Sequence, residues 1–196
     1  MNKSFIFLFV FVIVTTFVRA QTSSGNMMAG GSFEFSSYSR QSGSNADQSS
    51  VGFNPSFGYF VSDDLVVGGS LSLGSSRSGT GDAKSISNSF SIGPFARYYF
   101  FTSNEQFGFF GQAGLNFGSG KTDPAVGRIT QSNFISFALQ PGAAYFFNEH
   151  WALEFSITGL RISSADPDTS NNNDKVSRVD FGLGTLSPNL GFRYHF

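Results

Sequence analysis

The sequence contains no cysteine, which removes both a disulfide framework and a lipidated N-terminal cysteine as ways of holding the chain. Charge is scarce as well: 13% of residues are Asp, Glu, Lys or Arg, and the formal net charge is −1. A nucleic-acid partner needs a clustered basic excess, and none is present. Only two histidines are available as general bases. Long apolar runs are missing too, except at the start. Beyond residue 20 nothing approaches the roughly 20 consecutive apolar residues of a membrane-crossing helix.

The apolar start has its own explanation. Lys3 supplies a positive n-region, Phe5 to Val18 an apolar h-region, and Val18-Arg19-Ala20 the side chains a signal peptidase reads. Residues 1–20 are therefore expected to be a cleaved export signal, with cleavage before Gln21. Residues 21–28 would form a periplasmic N-terminal segment and 29–196 the folded domain. Loss of Lys3 and Arg19 takes the formal charge from −1 to −3.

What is abundant is phenylalanine (26) and glycine (23), and their arrangement is periodic. Pro55, Pro94, Pro141 and Pro188 each begin a stripe with an aromatic four residues on (Tyr59, Tyr98, Tyr145, Phe192) and an apolar residue six on. Even spacing places each stripe on one face of a strand. An apolar strand returns after each of the first three, so the chain repeats a β-hairpin. Alternating segments near 29–37, 51–61, 65–74, 85–100, 107–117, 135–147, 151–157 and 186–196 predict an all-β fold, an eight-stranded antiparallel up-and-down β-barrel.

Connection lengths alternate. Ser62 to Asp64, Thr102 to Gln106 and Asn148 to His150 are short, whereas 39–49, 75–84, 118–131 and 163–177 are long. Membrane barrels have short periplasmic turns and longer extracellular loops, so both chain ends are expected in the periplasm. The outward stripe of the second strand rises about 28 Å at ~3.3 Å per residue and ~40° tilt, near the ~25 Å apolar band of such barrels.

A soluble barrel also alternates, with its apolar side chains inside. Here the polar face is mostly Ser, Gly, Asn and Gln, and only Glu34, Arg97, Glu154, Arg161, Asp180 and Arg193 bring charge onto strands. Turned to lipid, each arginine would cost about 2–4 kcal/mol near the midplane. The polar face therefore points inward, where eight strands leave just room for side chains. Arg193 and Glu154 should lie at similar height on neighbouring strands, with Glu34 on the strand that closes the barrel. A lumen cluster of Glu34, Glu154 and Arg193, joined by Arg97, is expected to plug the barrel, because buried charges need partners. Ion conduction or ligand binding is its alternative role.

Tyr59, Tyr98, Tyr145, Trp151 and Tyr194 fall near the periplasmic ends and read as membrane-interface aromatics. Proline removes a ladder hydrogen bond, so four at one level predict a shared bulge or bend. A parity change between Leu183 and Leu186 predicts a bulge in the last strand.

The terminal "LGFRYHF", with Leu190, Phe192, Tyr194 and a final Phe196 in alternation, resembles the strand signal read by the barrel-assembly machinery. With the eight alternating strands, it makes residues 29–196 resemble the outer-membrane protein beta-barrel domain family of diderm bacteria, similar in plan to small OmpX- and OmpA-type barrels. The Ala-Gln cleavage site resembles exported proteins of the Bacteroidetes type. The resemblance implies a location in the cell outer membrane, the lipid bilayer and the assembly machinery as partners, and no catalytic residues or cofactors. A structural or interaction role is expected, with loops 39–49, 75–84, 118–131 and 163–177 meeting an extracellular ligand. A narrow channel for small solutes is the alternative. A lipid-modifying enzyme is a minor one, since His150 and His195 both fall at the periplasmic rim with no motif of Ser and acid around them. Asp166, Asp168 and Asp174 lack the spacing and glycine of a known calcium loop, so no metal site is expected.

Overall fold

The computed structural model describes residues 22–38, 47–80, 83–103, 106–167, 176–181 and 188–196. The expected export signal, the parity change at 183–186, and Asp168 and Asp174 lie outside the described residues. Among those described are ten antiparallel strands: β1 (Met27–Tyr38), β2 (Asp47–Ser62), β3 (Leu65–Thr80), β4 (Ala83–Phe101), β5 (Phe107–Asp123), β6 (Thr130–Phe146), β7 (Trp151–Ser156), β8 (Leu160–Pro167), β9 (Val176–Phe181) and β10 (Asn189–His195). Each neighbours the next from β1 to β7, β10 pairs with β7, and β1 pairs with β10. This closes a ring of eight. β8 continues the course of β7 along β6, and β9 pairs with β8.

Alternation fixes which face is which, because a one-residue slip would turn every side chain over. Phe57, Leu73, Ile92, Phe117, Ile135 and Phe192 face outward and are exposed, while their chain neighbours line the interior. Pairing of β1 with β10 over Met28 to Phe33 closes the ring among the described residues, as backbone within hydrocarbon requires.

The ladders run further than the alternation of apolar residues predicts. β3 reaches Thr80, β4 starts at Ala83, and the pair closes across Thr80 and Ala83, so most of the segment expected to be a loop at 75–84 is strand. β5 extends to Asp123, β6 begins at Thr130, and β2 begins at Asp47. Hydrogen bonds propagate a hairpin through Ser, Gly and Thr just as through Val, and such residues carry no hydrophobic period.

The prolines also differ from expectation. Pro55, Pro94 and Pro141 each stand opposite a glycine on the preceding strand, namely Gly31, Gly69 and Gly111. On the other side of each, the ladder is interrupted for two residues. That is the side where the missing N–H would have pointed. Beside Pro94 the strands come so close that a Cβ on Gly93 would lie 1.7 Å from the Leu115 carbonyl oxygen. Only beside Pro141 is there an extra residue: Ile157, Thr158 and Gly159 face Gln140 and Pro141. The Ile157 N–H donates to the Pro141 carbonyl (3.1 Å) and the Gly159 N–H to that of Leu139 (2.9 Å). This bulge divides β7 from β8 and switches outward parity from Phe155 to Ile162.

At the short-turn end the first described residues fold under the wall. Thr22 Oγ1 donates to Asp64 Oδ1 (2.7 Å) and the Ser24 N–H to Asp63 Oδ1 (2.9 Å). Asp64, with φ of 64°, takes the left-handed turn conformation that Asp tolerates better than most residues.

Candidate functional site: the barrel lumen

The lumen has three levels. Nearest the short turns is a packed layer in which Met28, Phe60, Val66, Tyr99, Phe146 and His195 are at most 1% exposed. Tyr99 is its hub, with ring centroids 5.7 Å from Phe110 and 6.3 Å from Phe146. Glycines make the space: a Cβ on Gly142 would lie 2.3 Å from Cζ of Phe110.

Sequence reasoning missed this layer, having read the inner face as polar throughout. The signal was there in the doublets Tyr59-Phe60, Tyr98-Tyr99, Phe109-Phe110 and Tyr145-Phe146. In a strand, two adjacent aromatics place one ring on each face, so each doublet marks a level where both sides are apolar.

Above the rings, the structure brings together three of the four residues expected in a charge cluster. Glu154 (β7) receives Arg97 (β4) on Oε1 and Arg193 (β10) on Oε2, the latter at 3.0 Å. Tyr99 Oη donates to Glu154 Oε1 at 3.0 Å. Arg97 Nε and Nη2 donate to Gln112 Oε1 (3.0 and 2.8 Å), whose Nε2 passes the chain to Gln140 at 3.0 Å. The Arg97 guanidinium carbon lies 4.0 Å from the Phe110 ring centroid, so the cluster rests directly on the aromatic floor. Arg193 also donates to Ser56 Oγ. Glycine opposite makes room for it, since a Cβ on Gly30 would sit 3.0 Å from Arg193 Cδ. Arg97, Glu154 and Arg193 are 2%, 3% and 6% exposed. One carboxylate shared by two guanidiniums leaves one positive charge, spread over neutral hydrogen-bond acceptors.

Glu34 stands apart. It is half-buried on β1 at the level of Gly52, which it faces across the ladder. Its carboxylate lines the space above the cluster and does not join Arg193. Strand register explains this: Arg193 pairs with Gly30, four residues below Glu34 on the same strand.

Above the cluster lies a cavity of about 110 Å³ bounded by Ser, Asn and Gln side chains together with Glu34, Arg161 and the cluster itself. It leads into a wider cup of about 470 Å³ that opens between the long-connection ends of the strands.

The sequence-predicted interface aromatics sit on the outer surface toward the short turns. Tyr59, Tyr98, Tyr145 and Trp151 are exposed, and Tyr194 is edge-on to Trp151 at 4.9 Å. Leu190, Phe192 and Phe196 are likewise exposed, and the Phe196 N–H donates to the Met27 carbonyl at 2.8 Å. His195 points inward into the ring layer, 5.3 Å from the Phe146 ring. His150 lies in a turn with Nδ1 2.9 Å from the His195 carbonyl oxygen. Both imidazoles are thus built into the short-turn end. Among the described residues no three His, Asp or Glu side chains converge as metal ligands.

The sequence profile of the outer membrane protein beta-barrel domain matches residues 5–196. The chain belongs to that family. Its location is the bacterial outer membrane, where the exposed rings face lipid and the strands cross the bilayer. No curated protein sequence gives a significant match. Solved structures share the fold at low identity. OprG from Pseudomonas aeruginosa is 18% identical with a TM-score of 0.52, covering 89% of this chain and 97% of that one. Neisserial surface protein A is 17% identical with a TM-score of 0.50, covering 88% and 98%. Ail, the attachment invasion locus protein of Yersinia pestis, is 17% identical with a TM-score of 0.50, covering 88% and 99%; it was solved with the heparin analogue sucrose octasulfate.

Proposed function

We propose that this outer-membrane barrel is a structural and interaction protein. It carries its long connections on the cell surface, for adhesion or envelope integrity, and its lumen is closed to solutes. One observation supports this above others: the lumen's short-turn end is filled by buried rings under a salt-bridged cluster. Phe60, Tyr99 and Phe146 would have to leave their packing, and Glu154 its two arginines, before an ion could pass. Each separated ion would be left buried without its partner, a costly arrangement, so the cluster holds the lumen shut.

In this reading the β5–β6 connection, where Val126 is 89% exposed, faces outside. The turn at Asn148 to His150 faces the periplasm. An epitope tag inserted at Val126 should bind antibody on intact cells, and one inserted at Glu149 only after the outer membrane is permeabilised. The reverse labelling would overturn the assignment. Assembly fits the same picture: Phe196 closes the outer face of β10 against β1, and we assign Leu190, Phe192, Tyr194 and Phe196 the role of the strand signal for the barrel-assembly machinery. Deleting Phe196 should then lower the amount of protein reaching the outer membrane, as read by fractionation, more than it lowers the stability of the protein that does.

A further inference from the structure

We propose that the cup in the long-connection half of the lumen binds a neutral saccharide, with Phe134 as its aromatic platform. This rests on the reading of a surface-facing barrel with a closed lumen. Three observations carry it: the lining, the ring and the blind floor.

Inward-facing Ser72, Ser89, Ser91, Ser132, Ser136 and Asn116 are among the wall's many neutral polar groups. Each hydroxyl can donate and accept, and the Asn amide does both. Ionised groups are few: Glu34, Arg161 and Lys121 stand among far more numerous Ser, Thr and Asn side chains, so neutral hydrogen-bonding groups dominate the wall. An apolar ligand would strip these hydroxyls of water without replacing the hydrogen bonds. A neutral polyhydroxylated ligand replaces them.

Phe134 lies on the inner face of β6 among these hydroxyls and lines the same space. Gly118 across the ladder is what admits its ring, since a Cβ there would lie 2.4 Å from Phe134 Cζ. A flat apolar ring set in a wall of donors and acceptors suits a pyranose, which has a C–H face and hydroxyl edges. The volume, about 470 Å³, lies within the ~300–1,000 Å³ usual for small-molecule sites. Beneath it the Arg97, Glu154 and Arg193 cluster closes the path, so a ligand entering from the open end is held and not passed on.

The test uses the folded full-length barrel in an amine-oxide detergent, because maltoside detergents carry the chemistry in question. Maltose and sucrose are titrated by calorimetry and by saturation-transfer NMR. Saturable binding is expected with Kd on the order of 1 mM. Phe134→Leu, which keeps an apolar side chain over Gly118 but removes the ring, should weaken it about tenfold, equivalent to ~1.4 kcal/mol. Ser72→Tyr, which fills the cup, should abolish it. Heat-modifiable gel migration of each variant confirms that it is folded.

No saturable binding to the unaltered barrel overturns the proposal, as does binding indifferent to both substitutions. Tighter binding of sucrose octasulfate or of a zwitterionic amino acid than of the neutral sugars overturns it as well. The tag at Val126 separates the two levels of inference. Surface labelling without sugar binding removes the saccharide site alone, whereas absent surface labelling removes the reading beneath it.

Discussion

Glu154 holds the charge balance of the lumen, and its neighbours dictate what its loss would do. Replacing the carboxylate by an amide leaves Arg97 and Arg193 facing each other with only neutral acceptors, namely Tyr99, Gln112, Ser56 and the single amide oxygen of the replacement. Glu154→Gln is therefore expected to destabilise the barrel by about 3–5 kcal/mol, measured as a lower urea midpoint for conversion to the heat-denatured gel form. Glu34→Gln removes the same charge from a half-solvated position outside the cluster, and its effect should stay within about 0.5 kcal/mol. Equal losses for the two would contradict the assignment of Glu154 as the shared partner. At this scale the sequence was informative about chemistry and poor at distance. It marked Arg97, Glu154 and Arg193 as inward charges by parity. It could not place Glu34, because the height of a residue in a barrel depends on the stagger between strands, which alternation does not encode.

Strand elements obey two constraints that pull apart at Pro141. The outer face must stay apolar, which demands strict alternation, yet proline withholds the N–H that the neighbouring ladder needs. The bulge of Ile157, Thr158 and Gly159 meets both, using backbone N–H groups from β7's continuation to reach the Pro141 and Leu139 carbonyls. Deleting Thr158 would remove the extra residue and turn Ile162 inward and Arg161 outward. Such a variant is expected to lose the heat-modifiable band altogether, whereas residues added at Val126, beyond the last β5–β6 pair, should leave it unchanged. Retention of the folded band after the deletion would show that the bulge does not set parity. In the sequence, Leu153 and Phe155 against Ile162 already carry that parity switch. Its location opposite Pro141 was illegible, since register is a property of two strands together.

As a whole molecule the barrel is a closed wall around a lumen stratified into a ring layer, an ion-paired layer and an open polar cup. Purified protein in planar bilayers is accordingly expected to show no stable unit conductance. A reproducible single-channel step from the unaltered barrel would reverse the choice between closed and conducting lumen. The amino-acid order by itself determined the number of strands in the ring and which face meets lipid, because a period of two and the cost of exposing arginine to hydrocarbon are both local facts. It read as a loop (163–177) a segment where β8 runs to Pro167 and β9 starts at Val176. Ladder length beyond the membrane band escaped it, since Ser- and Gly-rich strand has no hydrophobic signature. The packed ring layer, the separation of Glu34 from Glu154 and the cup around Phe134 were decided only by tertiary structure. Each depends on which residues of strands distant in the chain reach the same height once the wall closes, and closure is set by inter-strand stagger and by glycines that admit a neighbour's ring.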